Sequence, residues 1–285
     1  MATKLAGRQQ DLEGFSVTRI LPHPEKSMVG PFIFLDHMGP ITFNAGDGID
    51  VRPHPHIGLA TITYMLEGSL LHRDSLGNNL EILPGDVNWM TAGRGIVHSE
   101  RETLEVKSRP HVLNGMQAWL ALPEDKAEID PSFNHVKRCQ LPHFIHDSVQ
   151  IRIIAGDAYG ITSPIKTYSP MFYLDALVKG GKSFKRPNPE QECAIYVIDG
   201  EIEINQHIFQ PGDFILLDDE QQIKAVKNSR CLLYGGDRWP KIPYKYWNFV
   251  SFSRDRIDQA KKDWREQRFP QIPGDNAEFT PLPNK

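Results

Sequence analysis

The pattern Tyr-x-x-acidic-Gly, followed after a short gap by Pro-Gly-Asp and another apolar run, occurs twice in the chain. The first copy is ITYMLEG (62–68) with LPGDVNWM (83–90), and the second is AIYVIDG (194–200) with QPGDFILL (210–217). Each copy reads as a strand, a turn and a strand, so the chain is expected to build one β unit two times over. The rest of the sequence agrees. FIFLDHM (32–38), LATITYML (59–66), NLEIL (79–83), MQAWLAL (116–122), VQIRIIAG (149–156), MFYLDALV (171–178) and DFILL (213–217) are short and rich in β-branched and aromatic residues. Glycine, proline or charged residues bound them, as strands require. Many short strands at close spacing predict antiparallel sandwiches or barrels. We therefore expect an all-β protein of two domains, residues 1–130 and 131–285. One segment departs from the pattern: Ser253 can cap a helix through RDRIDQAKKDWREQRF, where Ile257, Ala260 and Trp264 recur at helical spacing. The proline-rich tail after Phe269 should lie extended, along the surface or back on the N-terminal domain.

Histidine is where the two copies differ. His54 and His56 lie two residues apart in PHPHIG, and His98 and Glu100 lie two apart in GRGIVHSE. On an extended chain, residues i and i+2 leave the same face, so each pair can converge on one point. Pro53 and Pro55 forbid a helix at the first pair, and Gly93 and Gly95 allow a tight turn before the second. Imidazoles with one carboxylate suit iron, manganese, nickel, copper or zinc and are wrong for calcium or magnesium. A lone HxH is common by chance; the second pair raises it to a ligand set. Superposing Tyr64 on Tyr196 places Arg186 and Asn188 at His54 and His56, and aligning the Pro-Gly-Asp turns places Ala225 and Lys227 at His98 and Glu100. The second copy thus keeps the fold signature without the ligands. Of the remaining histidines, His37 and His72 are the nearest to the site, with His72 expected to face solvent. The acidic run 218–220 reads as a solvated face.

Charge and composition exclude several classes. A formal net charge of -4 gives no general attraction to nucleic acid or anionic membrane. The three cysteines (Cys139, Cys193 and Cys231) are far apart and form no CxxC, as expected of reduced thiols in a cytosolic protein. The start of the chain lacks the apolar stretch of a signal peptide. The expectation is a soluble, cytoplasmic monomer.

FIFLDHMGP (32–40), RPHPHIGLATITYMLEGSLLHRDSLGN (52–78), LPGDVNWMTAGRGIVHSE (83–100) and NGMQAWLALP (114–123) together resemble the pirin family of the cupin superfamily. The resemblance runs over nearly the whole chain. It implies a bicupin, with two antiparallel β-barrels face to face, a short C-terminal helix and a metal-free C-terminal barrel. It implies Fe(II) held by His54, His56, His98 and Glu100, with manganese, nickel, cobalt, copper and zinc as other occupants. A usual cupin carries its glutamate near Thr61; here the carboxylate comes from the second motif, as in pirins. Some pirins are similar to quercetin 2,3-dioxygenases. That implies an aromatic flavonol substrate, O2 as co-substrate, release of CO, Glu100 as catalytic base and Gln117 as a substrate contact. Other pirins resemble redox-sensitive regulators that bind protein partners, and this is the alternative reading.

Overall fold

The computed structural model describes residues 2–12, 14–218 and 222–283. Of the acidic run 218–220, only the exposed Asp218 falls within them. The chain separates into two compact units that are not contiguous in sequence. One comprises Met1–Gln9, Arg19–Leu35 and Val136–Pro240, and the other Gln10–Thr18, Asp36–His135 and Lys241–Lys285. A single boundary at 130 would therefore assign residues 1–9, 19–35 and 131–135 differently from their contacts, while residues 241–285 group with the histidine-bearing unit to which the tail is expected to return.

The unit that carries the histidine motifs is built on two antiparallel sheets. One runs in the order Ser132–Val136, Val87–Thr91, Leu59–Glu67, His111–Ala121 and Phe32–Phe43, continuing through Ser16–Leu21 and Arg8–Asp11. The other has four strands, in the order Asp50–His56, Ile96–Arg101, Leu70–Asp74 and Asn79–Ile82. One part of this unit is an apolar cluster that includes Phe15, Met38, Phe43, Met65, Leu70 and Leu113. Farther along Leu59–Glu67 the same face turns polar. Thr63 pairs with Asn88 on one side and Gln117 on the other, and directly paired residues share a face. The antiparallel sheets are those expected from the strand pattern, and they agree with the bicupin that the resemblance implies.

The strands appear where their residue types place them. Leu59–Glu67, Val149–Ala158, Met171–Val178 and Glu192–Asp199 lie within two residues of the sequence expectation. Several strands have no counterpart in that reading, among them Ser229–Gly236 and Leu70–Asp74; the burial of the latter alternates, with Leu70, His72 and Asp74 inward. The predicted helix forms over Arg254–Arg265, with the Ser253 hydroxyl accepting the Arg256 N–H. Its buried face is Ile257, Ala260 and Trp264, and these close a cluster with Ile57, Val97 and Phe249. Gly58, between the histidine pair and the next strand, has φ +68°, and a Cβ there would stand 2.0 Å from the Val250 carbonyl oxygen. Only glycine lets the C-terminal chain approach this close to the histidine strand. Among the described residues no helix is long and apolar enough to cross a membrane.

The other unit has an eight-stranded and a four-stranded sheet around Ile153, Phe172, Leu174, Ile195, Ile215 and Leu233. Its strand Ala2–Leu5 pairs with Phe214–Leu217. Arg186, the residue aligned with His54, is buried, and its guanidinium donates to the carbonyls of Asn188, Leu217, Pro189 and Gln191. At this position the second copy holds a cation that ties down its own loop.

Trp264 is 4% exposed at the centre of the helix contact. Trp264→Ala should therefore destabilise the protein by about 3–5 kcal/mol, read as a lower denaturant midpoint at unchanged m-value.

Candidate metal centre

The centre of the site is the strand Ile96–Arg101, which is hydrogen-bonded along both edges. On one side His98 pairs with His54 and Ile96 with His56; on the other His98 pairs with Asp74 and Glu100 with His72. Three i,i+2 pairs on adjacent strands therefore face one interior: His54/His56, His98/Glu100 and His72/Asp74. Between His98 and Glu100 the pairing with Asp50–His56 shifts, so that Glu100 stands opposite Val51. Such a bulge re-aims a side chain, and Glu100 departs from the direction of the histidines toward Thr63 and Gln117.

The three imidazoles converge. Their ligating nitrogens all lie within 4.8 Å of one another, and all three residues are buried. His54 Nδ1 is 2.9 Å from the Arg52 carbonyl, so this nitrogen carries the hydrogen and its Nε2 is left as an acceptor. His56 Nε2 and His98 Nε2 face each other at 3.1 Å. Two nitrogens bound at right angles to one ion at about 2.0–2.1 Å stand about 3 Å apart, so this spacing fits a shared metal. The surroundings fit as well. Trp119 packs edge-on to His56 with ring centroids 5.0 Å apart, and His98 Nδ1 is buried without a hydrogen bond. Burial holds all three histidines neutral, lowering His54 to about 4 and His56 and His98 well below the usual imidazole range. Neutral, converging, buried imidazoles are a donor set for a transition metal.

Glu100 lies outside that triad of nitrogens. Gln117 Nε2 donates to its two carboxylate oxygens at 3.2 and 3.3 Å, and Thr63 Oγ1 stands 3.3 Å from Oε1. Thr63 also donates to Gln117 Oε1 at 2.6 Å, which fixes the amide with its NH2 toward the carboxylate. Burial raises the proton affinity of Glu100 above the ordinary carboxylate range, outweighing the His72 charge and these hydrogen bonds. Gln117, read from the sequence as a substrate contact, has both ends of its amide engaged with Thr63 and Glu100.

His72 corrects the sequence reading. It does not face solvent: it is 4% exposed, donates from Nε2 to Asp74 at 3.1 Å, stacks on Phe133, and has its ring 5.4 Å from that of His98. Asp74 is completely buried. Burial alone would raise its pKa, but hydrogen bonds from His72 and Asn78 outweigh that and hold it below the usual range. The i,i+2 rule that singles out the other pairs applies equally to His72 and Asp74, once Leu70–Asp74 is taken as a strand. His37 is buried against Asn114 at 2.8 Å, apart from the triad.

With this geometry in view, the comparisons are specific. The pirin family model matches residues 14–120, and the model of the pirin C-terminal cupin domain matches residues 173–270. The chain belongs to the pirin family. A pirin-like protein of Caulobacter vibrioides is 43% identical, with 97% of each chain covered. The crystal structure of quercetin 2,3-dioxygenase from Acinetobacter baumannii superposes with a TM-score of 0.91 at 34% identity, covering 100% of this chain and 96% of that one. A bacterial pirin from Escherichia coli, solved in complex with nickel(II), shares the fold with a TM-score of 0.67 at 21% identity, covering 84% of this pirin and 100% of that chain.

The buried imidazoles make the metal-free protein acid-sensitive. An unfolded histidine takes up its proton near pH 6.5, whereas folded His54 does so only near 4. Between those values the unfolded chain binds more protons, so stability falls as pH falls. Metal-free protein should lose thermal midpoint steadily from pH 7 to pH 5, and His54→Gln should make that decline shallower.

Proposed function

We propose that this pirin is a metal-dependent flavonol 2,3-dioxygenase, with Fe(II) as the expected ion. His54, His56, His98 and Glu100 would hold it. The observation that carries the reading is the buried histidine triad beside a carboxylate oriented by Gln117 and Thr63. Similarity over the full chain to the Acinetobacter quercetin 2,3-dioxygenase supports it, and the nickel bound by the Escherichia coli pirin supports a metal in this fold.

When bound, the metal supplies the Lewis-acid and redox chemistry by which an ionised flavonol and O2 combine. The chain's own residues do the rest. Glu100 accepts the proton of the flavonol 3-hydroxyl, a role suited to a carboxylate whose proton affinity burial has raised. Gln117 keeps that carboxylate aimed by donating to it while Thr63 holds the far end of the amide. Trp119 and Phe133 supply aromatic surface beside the imidazoles. In the net reaction O2 adds across the heterocycle, which opens to an ester as one ring carbon leaves as CO.

Anaerobic Fe(II)-loaded protein mixed with quercetin should lose flavonol absorbance only when O2 is admitted. His56→Ala should abolish both metal retention and turnover. Glu100→Gln should lower the rate by about 10²–10⁴-fold, the range of a lost general base. Iron-loaded wild-type protein that leaves a panel of flavonols untouched would refute the dioxygenase and favour the regulator with protein partners.

A further inference from the structure

The histidine strand Asp50–His56 is an edge strand, paired on one side only, with Ile96–Arg101. Prolines at 53 and 55 suit an edge, because they leave no N–H to be paired, but their carbonyls still need donors. For Pro53 the donor comes from the C-terminal segment. Thr280 N–H donates to the Pro53 carbonyl at 2.8 Å, and its hydroxyl donates to the Arg52 carbonyl at 3.3 Å. The Arg52 carbonyl is the same atom that accepts from His54 Nδ1. One carbonyl thus links the C-terminal segment to the outer nitrogen of a triad histidine.

The neighbouring strand is gripped by the same segment. Ser99, between His98 and Glu100, donates to Asp275 Oδ2 at 2.7 Å, and Arg101 binds both oxygens of Asp275 at 2.9 and 3.0 Å. Arg101 also reaches Glu278 at 3.0 Å. The segment is itself anchored. Ile272 is buried in the helix cluster, and Trp264 Nε1 donates to the Thr280 carbonyl at 3.0 Å. Residues 272–280 therefore contact the outer side of both strands whose inner faces carry His54, His56, His98 and Glu100. These contacts exceed what closing an apolar cluster requires: the two polar anchors fall on the residues flanking the imidazoles.

We propose that the C-terminal segment is a strap that holds the metal centre in register, with Thr280 and Asp275 as positioning residues. Thr280 fixes His54 through the Arg52 carbonyl, and Asp275 fixes the His98–Glu100 step through Ser99 and Arg101. The inference rests on the metal-centre reading above. Outer partners of metal-binding histidines typically change metal affinity about 10–100-fold when removed.

The test titrates nickel(II), an oxygen-stable probe, into metal-free full-length protein by calorimetry. The thermal midpoint of each metal-free variant is measured alongside. Asp275→Ala/Thr280→Val should weaken nickel binding by about 10–100-fold, and Thr280→Val alone by several-fold. Thr280→Ser, which restores the hydroxyl, should bind like wild type, as should Asn276→Ala, whose side chain donates to Gln271 within the same segment and not to either histidine strand among the described residues. Should the double variant not fold, the Thr280→Val and Thr280→Ser pair decides. Lowered midpoints with unchanged nickel affinity would reduce the strap to a structural role and overturn the proposal. Wild-type protein that binds no nickel would overturn the metal-centre reading first, and the strap with it.

Discussion

In an extended chain alternate side chains leave on the same face, and the site depends on that rule holding in three adjacent strands at once. Ile96–Arg101 is the middle strand of the three. Its hydrogen bonds to Asp50–His56 set His98 against His54, and those to Leu70–Asp74 set Glu100 against His72. A slip of one residue along either edge would turn a whole set of polar side chains away from the interior. What fixes the register is therefore as much a part of the site as the imidazoles. The prolines of the histidine strand, Gly58 with its positive φ, the bulge at His98–Glu100 and the C-terminal contacts all bear on it.

The second copy of the fold shows what the histidines are not needed for. It builds the same two-sheet unit around an aliphatic and aromatic core with Arg186 and Asn188 at the aligned positions. The buried Arg186 guanidinium is neutralised by no neighbouring ion pair among those described; it is solvated by four carbonyls of its own surroundings. The first copy instead buries three neutral imidazoles with their nitrogens converging. Such an arrangement costs free energy, because it takes imidazole nitrogens out of water and leaves some of them, His98 Nδ1 among them, without a hydrogen bond, a cost that a bound cation would offset.

Much of this was legible in the sequence. The paired spacing of His54/His56 and His98/Glu100 and the punctuation of the strands are local signals, and so is the capped helix with its Ile257, Ala260 and Trp264 face. His72 and Asp74 do not stand out because LLHRD is short and carries three charged or polar residues in five, so its alternation is visible only once its neighbours are known. The division of the chain into units was hidden for another reason. Ala2–Leu5 pairs with a strand more than 200 residues on, and no window of local sequence reports a partner at that distance. Nor could spacing reveal that Gln117 holds Glu100, since that contact depends on the bulge that re-aims the carboxylate.

The central claim is that one metal ion sits among His54, His56 and His98 with Glu100 beside it. A crystal soaked with nickel(II) and measured at the nickel absorption edge tests this directly. One anomalous peak per chain is expected, at about 2.0–2.2 Å from Nε2 of each of the three histidines. No peak between the imidazoles, or a peak bound elsewhere with the triad left hydrogen-bonded to itself, would contradict it.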